Sequence, residues 1–451
     1  MLTDRIQEKL NELSTLPGVV AVGLGKKIIE GVQTDTIGIT FGVKIKEANP
    51  ENILPTSIDI DGVTYITDVV EIGEVSFSSC PGSPVVYQNE PYIHSGMLIN
   101  VTHKDNSSQG DLTITSGTLG IVAYHPGRNV LVGITSAHLL SDPSRPSTPN
   151  REAYTNHISG SMESGGSPNF NYGYGYTNST DFFNFNDRTM KLGYYSPLKV
   201  EPITNPDRFN QVDACLVYFD TAQSVSPIIP DTAGTSFEIS PYYNPSWKSY
   251  DVKGIPEITS PMPFATTVEL DALITNPPSQ VSSTGFGTGV KHGIECGLKI
   301  DAIGVTTSFT TNLLPNTELP GTVYFDNLIS FSRAVPSPTL SAVGYGDSGA
   351  SLIAKINNVW KIIGLVIGGT SSSGINQTGY ACRIDKVAEE LEIEAWDGSI
   401  KPLGTAYSPR DMPTPVYLIA PGINDAKKLN FGDRIYYQIG TTTLSSIIYY
   451  E

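Results

Sequence analysis

The chain has 451 residues, enough for two or three domains and a large core. Its 28 Lys and Arg against 45 Asp and Glu give a net charge of −17, which argues against nucleic acid and anionic membranes as partners. No apolar run reaches the roughly 18–20 residues of a membrane span, and the start Met1-Leu2-Thr3-Asp4-Arg5 is too charged for an export signal, so a cytoplasmic location is expected.

The 43 Gly and 32 Pro, set among short β-branched runs, predict a turn-rich, mainly β protein. Residues 3–15 place Ile6, Leu10 and Leu13 on one helical face behind Thr3, a fitting cap. Strands are predicted at 19–25, 36–45 and 65–73, so residues 1–76 read as a small α+β domain. Gly23-Leu24-Gly25 leads into a strand rather than a helix N-terminus and does not suit a phosphate. Residues 77–115, rich in Ser, Pro, Gly and Asn, read as a connector. A hairpin follows, with strands at 118–124 and 130–135 about a turn holding a solvated His125, and it delivers His138 at its far end. Residues 141–190 read as a long surface loop around the Tyr- and Asn-rich 169–176, either an exposed insertion or a recognition surface. Asp213 opens a strand-like run at 211–219. A Pro-rich insertion is expected within 221–280. Gly285-Phe286-Gly287-Thr288-Gly289 leads into a Lys-His-Gly turn with a surface His292, not a phosphate loop.

Gly344-Tyr345-Gly346-Asp347-Ser348-Gly349 then places a small polar residue between glycines, which suits a side chain displayed from a tight turn. Two apolar runs about Asn357-Asn358 predict a hairpin directly after it. A helix is expected over 384–393, capped by Asp385, with Val387, Ala388 and Leu391 on one face. Residues 397–451 read as a β-rich extension, with strand-like runs at 415–420, 434–438 and 447–450.

A serine is a weak nucleophile without a base, and the base needs an orienting group. His138 ends the run Thr135-Ser136-Ala137-His138, and Asp213 stands at the mouth of an apolar strand where a carboxylate needs a partner. Asp207 and Asp220 lie in more polar sequence and are weaker candidates. The chain order His138, Asp213, Ser348 is one of the known orders of such a triad. The four cysteines, Cys80, Cys215, Cys296 and Cys382, show no metal-ligand spacing, and Cys215 reads as a buried thiol.

Residues 117–395 resemble the trypsin-like (chymotrypsin-fold) serine peptidases. Gly346-Asp347-Ser348-Gly349 matches that family's nucleophile signature, and Thr135-Ser136-Ala137-His138 is similar to its histidine motif. Within the family the chain is similar to the bacterial peptidases related to the plant narrow-leaf-type proteins. The matching features are Gly117-Thr118-Leu119-Gly120, Val212-Asp213-Ala214 and Gly25-Lys26-Lys27, while the family's basic loop is degenerate at Lys291-His292-Gly293-Ile294-Glu295-Cys296-Gly297.

The resemblance implies two six-stranded antiparallel β-barrels, the first carrying His138 and Asp213 and the second Ser348, with the site between them. It implies an oxyanion hole from the Gly346 and Ser348 N–H groups. The specificity pocket would have Ala342 and Val343 at its base and Ile367, Gly368 and Gly369 as its wall. The pocket lacks a carboxylate, so small or apolar side chains are expected there. The intervals between triad residues are longer than in compact trypsins, which implies insertions. An Arg333–Asp347 pair is expected in place of activation by a cut N-terminus. The expected domain layout is 1–76, 77–115 as connector, 116–396 as protease domain and 397–451 as extension. A protein or peptide substrate is expected, with no metal or organic cofactor, and the first domain is open to a regulatory partner. The alternatives are a silent protease-fold binding module and an esterase-like hydrolase using the same triad.

Overall fold

A computed structural model describes residues 2–29, 32–47, 53–78, 80–81, 95–104, 112–139, 152–155, 188–195, 198, 209–219, 258, 260–285, 289–291, 297–310, 322–336, 341–370, 377–399 and 401, with four short strands after 415. The expected loop at 169–176, Asp207, Asp220, His292 and most of 221–257 lie outside the described residues.

The fold is mainly β, built on two antiparallel barrels. The one nearer the C-terminus is a closed ring of six strands. Leu298–Thr310 pairs with Thr322–Arg333, and pairing continues through Thr378–Arg383, Val359–Thr370, Ser351–Ile356 and Val281–Gly285. The ring closes where Val281 meets Leu298. The hairpin between Ser351–Ile356 and Val359–Thr370 turns through Asn357 and Asn358, both at positive φ, as the Asn-Asn pair predicts. Inside, Phe309, Phe325, Phe331 and Leu365 are fully buried. Each contributes roughly 1.5–3 kcal/mol relative to exposure.

The other barrel has the strand order Ile121–His125, Val130–Thr135, Cys215–Tyr218, Arg188–Tyr195, Glu152–Thr155, Met97–Lys104 and Leu112–Leu119. Only Gly120 separates the two ends of this series, so Leu112–Leu119 and Ile121–His125 form one bent strand that closes the sheet. Gly120 has no alternative: a Cβ there would lie 1.7 Å from the Gly349 carbonyl oxygen. Met97–Lys104 falls inside the expected connector and Leu112–Leu119 begins inside it, where polar composition masks barrel strands. His125, expected in solvent, is buried at the end of its strand.

The N-terminal helix Asp4–Leu13 forms as its periodicity predicts, with the Thr3 hydroxyl accepting from the Ile6 N–H at 3.3 Å. Ile6, Leu10 and Leu13 pack against Val22, Ile39 and Phe41. The strand Val19–Ile29 pairs on one side with Val32–Val43 and on the other with Leu298–Thr310. The sheet of residues 1–76 is therefore continuous with the second barrel rather than set apart from it. Asn11 adds hydrogen bonds to Asp326 and Thr306, at 2.8 and 2.7 Å.

The helix Ile384–Leu391 buries Ile384, Val387 and Leu391. Asp385 does not cap it: Asp385 bonds to the buried Arg383 at 2.8 Å, and Arg383 also reaches Asp271 at 2.7 Å. Glu394–Ala395 then crosses to the first barrel and pairs with Tyr124 and Ala123. Two hairpins follow, Val416–Leu418 with Lys427–Leu429 and Arg434–Ile439 with Thr442–Ile447, so strands occur where the runs at 415–420 and 434–438 were expected. Among the described residues no helix is long and apolar enough to cross a membrane.

Candidate active site

His138 sits in the short turn Ala137–Leu139 that follows the strand Val130–Thr135. That strand pairs with Cys215–Tyr218 in a register that sets Thr135 opposite Cys215. Asp213, two residues before Cys215, is thereby brought beside the turn. Its Oδ1 accepts from the His138 backbone N–H at 2.9 Å, and its Oδ2 faces His138 Nδ1 at 2.5 Å. With Nδ1 protonated toward the carboxylate, Nε2 is left as an acceptor. Ser348 Oγ lies 2.7 Å from that Nε2. The three residues named from sequence thus meet in one hydrogen-bonded line, from the carboxylate through the imidazole to the hydroxyl.

The serine turn is held from both barrels. Gly346 and Gly349 both have positive φ, and a Cβ on Gly349 would fall 2.3 Å from the Thr118 carbonyl oxygen and 2.4 Å from Thr135 Oγ1. The Thr118 N–H donates to the Ser348 carbonyl at 2.7 Å, and its hydroxyl donates to the Gly346 carbonyl, also at 2.7 Å. Thr135 Oγ1 donates in turn to the Thr118 carbonyl at 2.8 Å. Ser136 Oγ and the Gly349 N–H both donate to the Val366 carbonyl, at 3.2 and 2.8 Å. Thr118, Thr135 and Ser136 are buried hydroxyls whose bonds fix the distance between the two halves of the site. All three lie in the motifs Gly117-Thr118-Leu119-Gly120 and Thr135-Ser136-Ala137-His138, which do not by themselves reveal this role. Their one signal was polarity inside otherwise apolar runs.

Asp347 lies buried behind the turn and accepts from the Gly344 N–H at 2.9 Å. Arg333, expected to pair with it, donates through Nε to the Ser341 carbonyl at 3.0 Å. Ala342 and Val343 are buried, and Gly369 abuts Val343 so closely that a Cβ would lie 2.6 Å from the valine Cγ1. The expected pocket base and wall are therefore neighbours. Cys382 lies near Asp213; burial, then the Asp213 charge, push its thiol well above the usual range.

The site holds one segment that the sequence reading placed elsewhere. Val75–Phe77 pairs antiparallel with the wall, Phe77 opposite Gly368, Ser76 opposite Gly369 and Val75 opposite Thr370. The Phe77 ring stacks on His138 with centroids 4.3 Å apart and on Phe309 at 4.8 Å. Ser78 Oγ lies 3.1 Å from Ser348 Oγ. With this segment in place, Ser348 and Asp213 have no exposed surface and His138 is 3 % exposed. The alternation of Val75 and Phe77 with serines was the available signal for a strand.

No protein-family model matches this sequence, and neither does any curated protein sequence. Solved structures similar to this chain include Thermobifida fusca protease A, at 14% identity over 68% of this chain and 100% of that one, with a TM-score of 0.31. A Nocardiopsis protease is similar at 15% identity over 62% and 92% of the two chains, with a TM-score of 0.29. Cellulomonas bogoriensis chymotrypsin is similar at 14% over 62% and 90%, also with a TM-score of 0.29. Identities and scores this low carry no argument about chemistry, which rests on the geometry of this chain.

Proposed function

We propose that this chain is a serine endopeptidase working by acyl transfer. The observation that supports it most is the continuous line Asp213–His138–Ser348, at 2.5 and 2.7 Å, built from residues of both barrels. In this reading Ser348 Oγ attacks a peptide carbonyl while His138 Nε2 takes its proton. The imidazolium so formed is stabilised by the Asp213 carboxylate. The carbonyl oxygen gains negative charge and is held by N–H groups of the serine turn, Gly346 and Ser348, each worth about 3 kcal/mol in the transition state. His138 then passes the proton to the leaving amine, and water repeats the sequence to release the acyl group. Ala342, Val343 and the wall Ile367, Gly368 and Gly369 would select small or apolar side chains, because a cation buried there without a partner is costly.

The test compares wild type with Ser348→Ala, which removes one buried oxygen that bonds His138 Nε2 at 2.7 Å and Ser78 Oγ at 3.1 Å. Loss of covalent labelling by a fluorophosphonate is expected, with a cooperative melt retained and a stability change of no more than about 1–3 kcal/mol. Labelling of Ser348→Ala at the rate of a wild type that itself labels would remove Ser348 from the role of nucleophile. Activity on ester substrates with none on peptides would move the assignment to an esterase.

A further inference from the structure

We infer that the chain cleaves itself once, between Ser78 and Ser79; this rests on the peptidase reading. The backbone of Ser78 is bound as a substrate's would be. Its N–H donates to the Ile367 carbonyl at 3.3 Å, and its carbonyl oxygen accepts from the Gly346 N–H at 2.5 Å. Gly346 is the residue expected to supply an oxyanion donor, so the polarised carbonyl in the site is that of Ser78. Ser348 Oγ is meanwhile hydrogen-bonded to its base.

The chain is held on both sides of that carbonyl. Before it, Val75–Phe77 forms a strand on Gly368–Thr370 of the second barrel. After it, Cys80–Pro81 pairs with Ser116 and Thr115 of the first barrel. The segment therefore crosses from one barrel to the other at the triad, with extended backbone paired on each side. Such a docking brings the reacting groups to high effective concentration. The side chain before the bond is a serine, whose Oγ lies 3.1 Å from Ser348 Oγ. Phe77, one position earlier, covers the imidazole and excludes water from it.

The chemistry balances without a further reagent except water. Ser348 Oγ bonds to the Ser78 carbonyl carbon, and the bond from that carbon to the Ser79 nitrogen breaks. The hydroxyl proton travels through His138 to the Ser79 nitrogen, which leaves as a free amine. Water then hydrolyses the ester, which restores Ser348 and leaves a Ser78 carboxylate. The strand Val19–Ile29 still ties residues 1–78 to Leu298–Thr310, so the two pieces stay together natively.

The test is a time course of the purified full-length protein by intact mass under denaturing conditions, with N-terminal sequencing. Wild type should convert to residues 1–78 and 79–451, with a new terminus at Ser79, and Ser348→Ala should remain whole. The first-order rate should not change over roughly hundredfold dilution, because the docked segment belongs to the same chain. A wild type that stays intact, a cut at another bond, cleavage in Ser348→Ala, or a rate that falls with dilution would each overturn the inference. Fluorophosphonate labelling of Phe77→Ala separates this failure from that of the peptidase reading. Phe77→Ala loosens the segment over His138. If it labels while wild type stays intact, the segment is a plug that is never cut and the hydrolase stands. If neither protein labels, the peptidase reading falls as well.

Discussion

Asp213→Asn isolates what the buried carboxylate does. Asp213 accepts twice from one residue, from the His138 backbone N–H at 2.9 Å and from Nδ1 at 2.5 Å. An asparagine keeps the first bond through its oxygen but turns an NH₂ group toward Nδ1. The ring must then accept at Nδ1 and carry its proton on Nε2, the atom 2.7 Å from Ser348 Oγ. A protonated Nε2 cannot take the serine proton. The loss for a triad held in the wrong tautomer is about 10⁴-fold, or ~5.4 kcal/mol of barrier. Stability should change little, by less than about 1.5 kcal/mol, because the volume is kept and a buried charge is removed. Asp213→Ala should differ, since it strands two N–H donors in the interior at ~1–3 kcal/mol each. The assay is the second-order rate constant for fluorophosphonate labelling, measured beside a thermal melt. Labelling of Asp213→Asn within about tenfold of wild type at a normal melt would refute the orienting role.

Gly349→Ala should lower the urea midpoint by the equivalent of ~2–4 kcal/mol, because positive φ and contacts below 2.5 Å with Thr118 and Thr135 leave its Cβ no space; an unchanged midpoint would refute this. Arg383→Ala leaves the carboxylates of Asp271 and Asp385 without their buried cation and should cost ~3–5 kcal/mol in a denaturant titration. Burial alone would raise the Asp385 carboxyl, but the hydrogen bonds and charge of Arg383 hold it below its ordinary value. Its contribution is therefore present above the unfolded value and lost as pH falls through the lowered one, and Arg383→Ala should remove that part of the acid dependence. His125 behaves in the opposite chemical sense with the same outcome. Burial and then the Arg128 charge outweigh Glu392 and lower its imidazole, so as pH drops through about 6.5 the unfolded chain takes up a proton that the folded chain does not. Stability should fall over that window, and His125→Phe should flatten the melting temperature between about pH 7 and 5.

The parts of this molecule legible in sequence are those set by local rules. Ile6, Leu10 and Leu13 announce their helix through spacing, and Asn357-Asn358 announces its hairpin through the dihedrals asparagine tolerates. Ser348 was legible because glycines flank it, and His138 and Asp213 because apolar strands lead to or from a lone polar group. Long-range pairing was not legible. Nothing in Val19–Ile29 states that its free edge meets Leu298–Thr310 rather than solvent, since both edges of a strand carry the same backbone groups. Polar composition hid Met97–Lys104 and Leu112–Leu119, because Thr, Ser and Asn interrupt their apolar residues and resemble a loop. His125 was misplaced because a turn beside Pro and Gly looks exposed, whereas the residue ends the paired strand Ile121–His125 and is buried there. Phe77 and Ser78 escaped notice because they adjoin a run of Ser, Pro and Gly, and their meaning lies in Gly346 and Gly368 far along the chain.

The pairing of the first strand with the second barrel also sets a schedule for biosynthesis. The Thr307 hydroxyl donates to the Val20 carbonyl 287 positions earlier, so Val19–Ile29 leaves the ribosome long before the strand it pairs with. Synthesis proceeds at roughly 5–20 residues per second, which leaves the edge of Val19–Ile29 unsatisfied for tens of seconds. Loop closure over such a span is slow, and an unpaired edge during that interval invites pairing with other nascent chains. The helix Asp4–Leu13 and the strand Val32–Val43 can cover one side of it at once, being local. The other side stays open until residues 298–310 emerge. Ser348 is translated later still, so the three triad residues coexist only after Leu298–Thr310 has been made.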